Sequence, residues 1–158
     1  MRIIPEELQV DNPQNRAQQM GDWLSRFNWD WFVTLTFRDE PSDYGAWNRA
    51  YAWLRWLERS LRRRVGAYIV VEYHRYRAGP NYMVPHVHLL VTGVAGSQRT
   101  SVWERTFQRY GRARILPYDP NLGASYYVAK YVAKEAFSRG EWDIWRPEVV
   151  QHAQASLV

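Results

Sequence analysis

Two histidines separated by one residue, His86 and His88 in PHVHLLV, are the first side chains in this sequence that could do chemistry. In an extended strand, residues two apart face the same side, about 7 Å apart. Two imidazoles so placed can converge on one metal ion, or can sit half-buried and make ordinary hydrogen bonds. Glu72, in IVVEYH, interrupts an apolar run, where an unpaired carboxylate costs several kcal/mol. If residues 67–74 and 86–93 are neighbouring antiparallel strands, Glu72 and His74 share a face beside the histidine pair. A Glu with two His makes a divalent-metal set with positions left for substrate. The plainer alternative pairs Glu72 with Arg75 or Arg77. Imidazoles must be neutral to coordinate, so a metal held there is expected to leave as pH falls through about 6.5, the ordinary imidazole value.

A second group lies in ASYYVAKYVAKEAF, residues 124–137, where YVAK occurs twice in succession. On a helix, positions i, i+3, i+4 and i+7 share a face. Tyr127, Lys130, Tyr131 and Lys134 therefore form one stripe, and Val128, Ala129, Val132 and Ala133 form the opposite, apolar side. Small residues suit close packing on a sheet, while the large aromatics stand beside the lysines.

The elements that must position these groups alternate. Residues 13–27 read as a short, polar-faced helix, and WFVTLTF (31–37) as a strand followed by turn chemistry. Helical spacing of Trp47, Ala50, Leu54, Leu57 and Leu61 predicts a helix over 45–63, ended by Gly66. Strands over 67–74 and 86–93 flank a loop punctuated by Gly79-Pro80. A helix over 98–110, a short strand within 112–118 and the double-YVAK helix follow, and residues 139–158 form a tail without clear period. The order β-α-β-β-α-β plus a C-terminal helix is an α+β plan of ferredoxin-like or RRM-like type, an antiparallel sheet with helices on one face. The other face is then expected to be open to a substrate. Residues 1–158 read as a single domain with its core at 29–135.

Composition bounds the partner. The chain has 21 Lys+Arg against 16 Asp+Glu, a formal charge of +5, and 16% aromatic residues including nine Trp and eleven Tyr. A basic, aromatic-rich surface suits nucleic acid with unpaired bases, although many of these rings serve the core. Cysteine is absent, which excludes disulfides and thiolate metal sites. No stretch has the ~18 uncharged apolar residues of a membrane span, and MRIIPEELQVD is too charged for a signal peptide. The expectation is a soluble, cytoplasmic protein. Basic residues in RSLRRR (59–64) either complement the helix C-terminus or, through Arg62, Arg63 and Arg64, grip DNA phosphates.

Taken in order, FVTLTF, HVH and YVAKYVAK resemble the three motifs of the HUH endonuclease superfamily, named for its histidine–hydrophobic–histidine pair. The likeness is to rolling-circle replication initiators of small single-stranded DNA phages and plasmids, and covers roughly residues 29–135. It implies that His86, His88 and an acidic residue, Glu72, hold Mg2+ or Mn2+ on a scissile phosphate. His74 is the alternative third ligand, because the segment from Tyr73 to Pro85 is longer than the short turn usual in the family. Oxygen ligands suit Mg2+ and Mn2+, while the sequence alone equally permits zinc. The resemblance further implies that Tyr127 or Tyr131 attacks and becomes joined to the 5′ end, leaving a free 3′-OH for a polymerase. Lys130 or Lys134 would stabilise the phenolate, and Thr36, with Thr34, would contact DNA or act as scaffold. The implied partners are single-stranded origin DNA, with or without a hairpin, a DNA polymerase and a separate helicase, as no GxxxxGK[ST] phosphate loop occurs. Two alternatives stand beside this one. One is a single-tyrosine transposase or mobilisation relaxase, for which Tyr131 is the candidate. The other is a non-catalytic ferredoxin-like single-strand binder.

Overall fold

In the computed structural model, residues 13–39, 41–75, 83–125, 127–129 and 142–154 are described. The elements are α1 (Pro13–Leu24), β1 (Trp31–Thr36), α2 (Asp43–Leu61), β2 (Gly66–Arg75), β3 (Met83–Thr92), α3 (Arg99–Tyr110) and β4 (Ala113–Pro117). A 3-10 turn at Pro120–Leu122 leads into helical residues 124, 125 and 127–129, denoted α4. Strand β5 (Trp142–Trp145) and α5 (Pro147–His152) complete the described chain.

The five strands form one sheet in the order β4-β1-β3-β2-β5, every pair antiparallel. The first four have the ferredoxin-like arrangement, and the fold is α+β. Strand alternation divides each sequence between two faces. Val33, Leu35, Val87, Leu89, Ile69 and Val71 point to one face, where they bury against Ala50, Trp53, Leu54 and Leu57 of α2 and Val102 of α3. Those α2 positions recur at helical spacing, and Ser42 caps the helix by accepting from the Gly45 N–H at 3.0 Å. Trp53, fully buried, donates its indole N–H to Thr106 Oγ1 at 3.0 Å and so ties α2 to α3.

Three expectations are corrected. Helix α2 stops at Leu61 with Arg62 in the left-handed cap position at φ 53°, and Gly66 opens β2 instead of ending the helix. A Cβ at Gly66 would lie 2.7 Å from Val150 Cγ2 of α5, so glycine is needed there for close approach. The C-terminal stretch is not an unstructured tail in 142–152, where β5 pairs with β2 and buries Trp142, Ile144 and, from α5, Val150. WDIW is too short to display a period, and its partner sits far away in sequence. The second sheet face is not wholly open either, since Tyr68, Val70 and Leu90 are covered by Met20 and Leu24 of α1 and by Val128 and Ala129 of α4. No helix among the described residues is long and apolar enough to cross a membrane.

Within that second core, Tyr68 is fully buried and its hydroxyl has no hydrogen-bond partner among the described residues. Burial pushes the phenol well above its ordinary pKa, so it stays neutral. A buried unsatisfied hydroxyl costs about 1–3 kcal/mol. Tyr68→Phe is therefore expected to leave stability unchanged or raise it by about 1 kcal/mol, read from the urea midpoint. A clear loss of stability would mean that the hydroxyl is satisfied.

Candidate functional site

Register decides what meets on the second face. Thr36 lies opposite His86 and Thr34 opposite His88 across β1 and β3. Glu72 lies opposite His86 across β2 and β3, and Arg114 lies opposite Thr34 across β4 and β1. Directly opposed residues in an antiparallel pair share a face, so all of these side chains gather at the end of the sheet that α1 and α4 leave uncovered. They line an open cleft of about 430 Å³, closed on one side by Phe32, Leu116 and Tyr127 and reached by Asp119.

Glu72 and His88 are 5% and 4% exposed, and His88 Nε2 stands 2.8 Å from Glu72 Oε2. Glu72 thus meets a histidine rather than an arginine within the described residues. His88 Nδ1 is 3.1 Å from Thr34 Oγ1, and His86 Nδ1 is 3.0 Å from Thr36 Oγ1. A hydroxyl can donate or accept. With Nε2 protonated, His88 donates to Glu72 and Nδ1 accepts from Thr34. With Nε2 bare, Nδ1–H donates to Thr34 instead, leaving a lone pair aimed into the cleft. The two threonines on β1 thus fix the ring planes in either tautomer.

The donor set can be tested against an octahedral ion. Adjacent ligands about 2.1 Å from such an ion lie roughly 3.0 Å apart, close to the 2.8 Å between Glu72 and His88. The carboxylate–imidazole pair fits that spacing and chemistry. Among the described residues no group of three His, Asp or Glu side chains is arranged around a common point, so His86 has still to converge. His74 sits opposite Val84 on β2, and its side chain lies outside the described residues.

Tyr127 opens α4 toward the cleft. Its ring is 39% exposed and meets His88 edge-on at 5.8 Å and Phe32 at 6.0 Å, while Phe32 stacks on His88 at 6.0 Å. Val128 and Ala129 are fully buried beneath it, so the apolar side of α4 holds the helix on the sheet as its spacing predicts. Gly123 at φ 69° makes the bend before α4. Tyr126, Lys130, Tyr131 and Lys134 lie outside the described residues.

The basic cluster is elsewhere. Arg62, Arg63 and Arg64 sit beyond the end of α2, beside the first residue of β2. Glu72 is six residues further along that strand, about 20 Å away. Sequence reasoning missed Arg114, Phe32, Leu116 and Asp119. Alternation in RARILPY and WFVTLTF places Arg114 with Leu116 and Phe32 with Thr34, but only the pairing of β4 with β1 brings them to the histidines.

Fold and site together define the class: a ferredoxin-like α+β domain whose sheet carries a histidine–carboxylate pair, a tyrosine and an arginine in one open cleft. The family model for replication-associated proteins of the ORF2 type matches residues 30–136, well over half of the chain. The protein belongs to this replication-associated family, which ties its work to DNA replication. No curated protein and no solved structure matches it.

Proposed function

We propose that this protein is a metal-dependent, single-stranded DNA endonuclease and strand transferase of the HUH type that initiates rolling-circle replication. The observation that carries the reading is one cleft holding the buried Glu72–His88 pair with the Tyr127 ring against His88. Glu72, His86 and His88 would hold Mg2+ or Mn2+, favoured over softer metals by the carboxylate oxygen. When bound, the ion supplies Lewis-acid polarisation of the scissile phosphate.

The residues of the chain orient and react. Thr34 and Thr36 hold the imidazoles. Phe32 and Leu116 give an unpaired nucleotide an apolar wall. The Tyr127 phenol oxygen attacks phosphorus, and the bond from phosphorus to the 3′ oxygen breaks. The phenol proton is lost to a base or solvent and the leaving 3′ oxygen gains one, so the strand ends as a 3′-OH and a 5′-phosphotyrosine. A phenol of ordinary pKa near 10 is a poor nucleophile at neutral pH, and Lys130 and Lys134 would stabilise its anion. Tyr131, one helical turn on, is the second nucleophile. Partners are origin DNA, a separate helicase and a polymerase acting on the 3′-OH in the cytoplasm of the host cell.

Arg114 completes the phosphate site in this reading. Among the described residues its guanidinium makes no hydrogen bond, ion pair or ring contact, and it lines the cleft. A charge-assisted hydrogen bond to phosphate is worth about 1.5–3 kcal/mol, so Arg114→Ala should weaken binding of an unpaired oligonucleotide roughly 10- to 100-fold. An unchanged dissociation constant would remove Arg114 from the site. The reading as a whole is tested with a labelled single-stranded origin oligonucleotide, in Mn2+ or in EDTA. Nicking confined to the metal supports it, and equal nicking in EDTA contradicts it.

A further inference from the structure

A second basic surface lies far from the cleft. Arg55, Arg59, Arg62, Arg63 and Arg64 of α2 and its end, with Arg146 before α5, line an open depression of about 420 Å³ in which Glu58 is the acidic member. Three of these arginines already have partners. Arg63 donates to the Ala95 carbonyl at 3.0 Å, Arg64 pairs with Glu148 at 3.2 Å, and Arg146 binds both oxygens of Glu58 at 2.5 and 3.0 Å. The other three, Arg55, Arg59 and Arg62, are exposed, and their guanidiniums have no hydrogen bond, ion pair or ring contact among the described residues. Their spacing, i, i+4 and i+7, puts them on one face of the helix and its cap.

The backbone singles out the same place. Among the described residues, the non-glycine residues with positive φ are Arg62 at 53° and Arg146 at 50°, and both line this surface. That conformation is disfavoured for residues with a side chain, and helix ends that adopt it usually carry glycine. The ion pair with Glu58 accounts for Arg146. Arg62 has no such internal partner, so what an arginine contributes there must come from outside the fold.

The chemistry of the surface selects its ligand. Guanidiniums in an open groove suit phosphate oxygens. No aromatic residue lines it, so unpaired bases have nothing to stack on, in contrast with the cleft and its Phe32 and Tyr127. It lies about 20 Å from Glu72 along β2, on the side where α2 packs. At about 3.4 Å per base pair, roughly six base pairs span that distance.

We propose that Arg55, Arg59 and Arg62 form a second nucleic-acid site that grips the backbone of a double-stranded segment flanking the strand in the cleft. This rests on DNA being the partner and not on the cleavage chemistry. The test compares an unpaired oligonucleotide with the same oligonucleotide extended by a hairpin stem, in anisotropy titrations across a range of salt. The unaltered protein should bind the stem-bearing DNA more tightly and with the steeper dependence of log K on log salt. In the triple variant Arg55→Gln, Arg59→Gln and Arg62→Gly that gain should vanish, and the slope on stem-bearing DNA should fall by about 2–3. Arg62→Gly alone should melt no lower than the parent, which separates lost binding from lost structure. The double variant Arg55→Gln and Arg59→Gln, altered only on the helix surface, repeats the binding test independently of the cap. A gain from the stem that survives in these variants overturns the proposal. So does an equal loss on stemless DNA, which would mean that the surface follows unpaired strand. His88→Gln, assayed in parallel, reports on the cleft alone, so the two readings fail separately.

Discussion

His88→Gln is expected to slow metal-dependent nicking by a factor on the order of 10²–10³ while leaving the melting temperature close to that of the parent. The reason lies in how His88 is held. It is buried with Glu72, and its Nε2 is the carboxylate's partner at 2.8 Å. Alanine at this position would strand a buried carboxylate, at a cost of about 3–5 kcal/mol, and a loss of activity would then report on folding. A glutamine amide can still donate to Glu72 but is a poor metal ligand. His86→Ala should give the same kinetic loss at little structural cost, because His86 is only half-buried. Initial nicking rates, thermal melts and Mn2+ titrations on the three variants check this. Full activity in both His88→Gln and His86→Ala would remove the pair from catalysis.

Tyr127→Phe and Tyr131→Phe are each expected to keep some cleavage of a simple oligonucleotide, and the double variant none. An initiator that both starts and ends a round must cut twice, while the first tyrosine is occupied by the 5′ end. A second tyrosine one turn away, with Cβ atoms about 5–6 Å apart, can attack the new junction with small rotations. Either single variant should form the covalent adduct yet fail at strand transfer that needs alternating attack. Tyr127 lines the cleft with its ring edge on His88, so its removal also takes away one wall. Phenylalanine preserves that wall, which keeps the comparison one of chemistry. Full strand transfer by Tyr127→Phe would point to a one-tyrosine enzyme using Tyr131, and adduct formation by the double variant would turn attention to Tyr126.

The parts of the molecule that alternation controls were legible in the sequence. WFVTLTF, IVVEYH and PHVHLLV alternate between a face that must be dry and a face that need not be, so Glu72, His86 and His88 fall together once β2 and β3 pair. The helical period of α2 and the apolar Val128–Ala129 side of α4 were equally plain, and both are buried. What alternation cannot carry is partnership between distant segments. Nothing in RARILPY says that β4 pairs with β1, and that pairing alone sets Arg114 opposite Thr34. WDIW joins the edge of β2 across a long separation in sequence, so it looked like tail. Covering of the second face by α1 depends on Met20 and Leu24 meeting Tyr68 and Leu90, a contact no local pattern announces. Helix α2 ends at an arginine cap, Arg62, whereas Gly66 further along the chain gave the stronger local stop signal.

Mass spectrometry of the protein–DNA adduct tests the central claim most directly. The protein is incubated with single-stranded origin DNA in Mn2+, trimmed with nuclease and digested with trypsin. Cleavage after Arg114 and Lys130 puts Tyr127 in the peptide ILPYDPNLGASYYVAK and Tyr131 in YVAK, so the two sites are read apart. The account predicts a nucleotide joined through its 5′ phosphate to Tyr127 or to Tyr131, formed in Mn2+ and absent in EDTA. A nicked strand with no adduct on either peptide, or an adduct that forms as readily in EDTA, would contradict it.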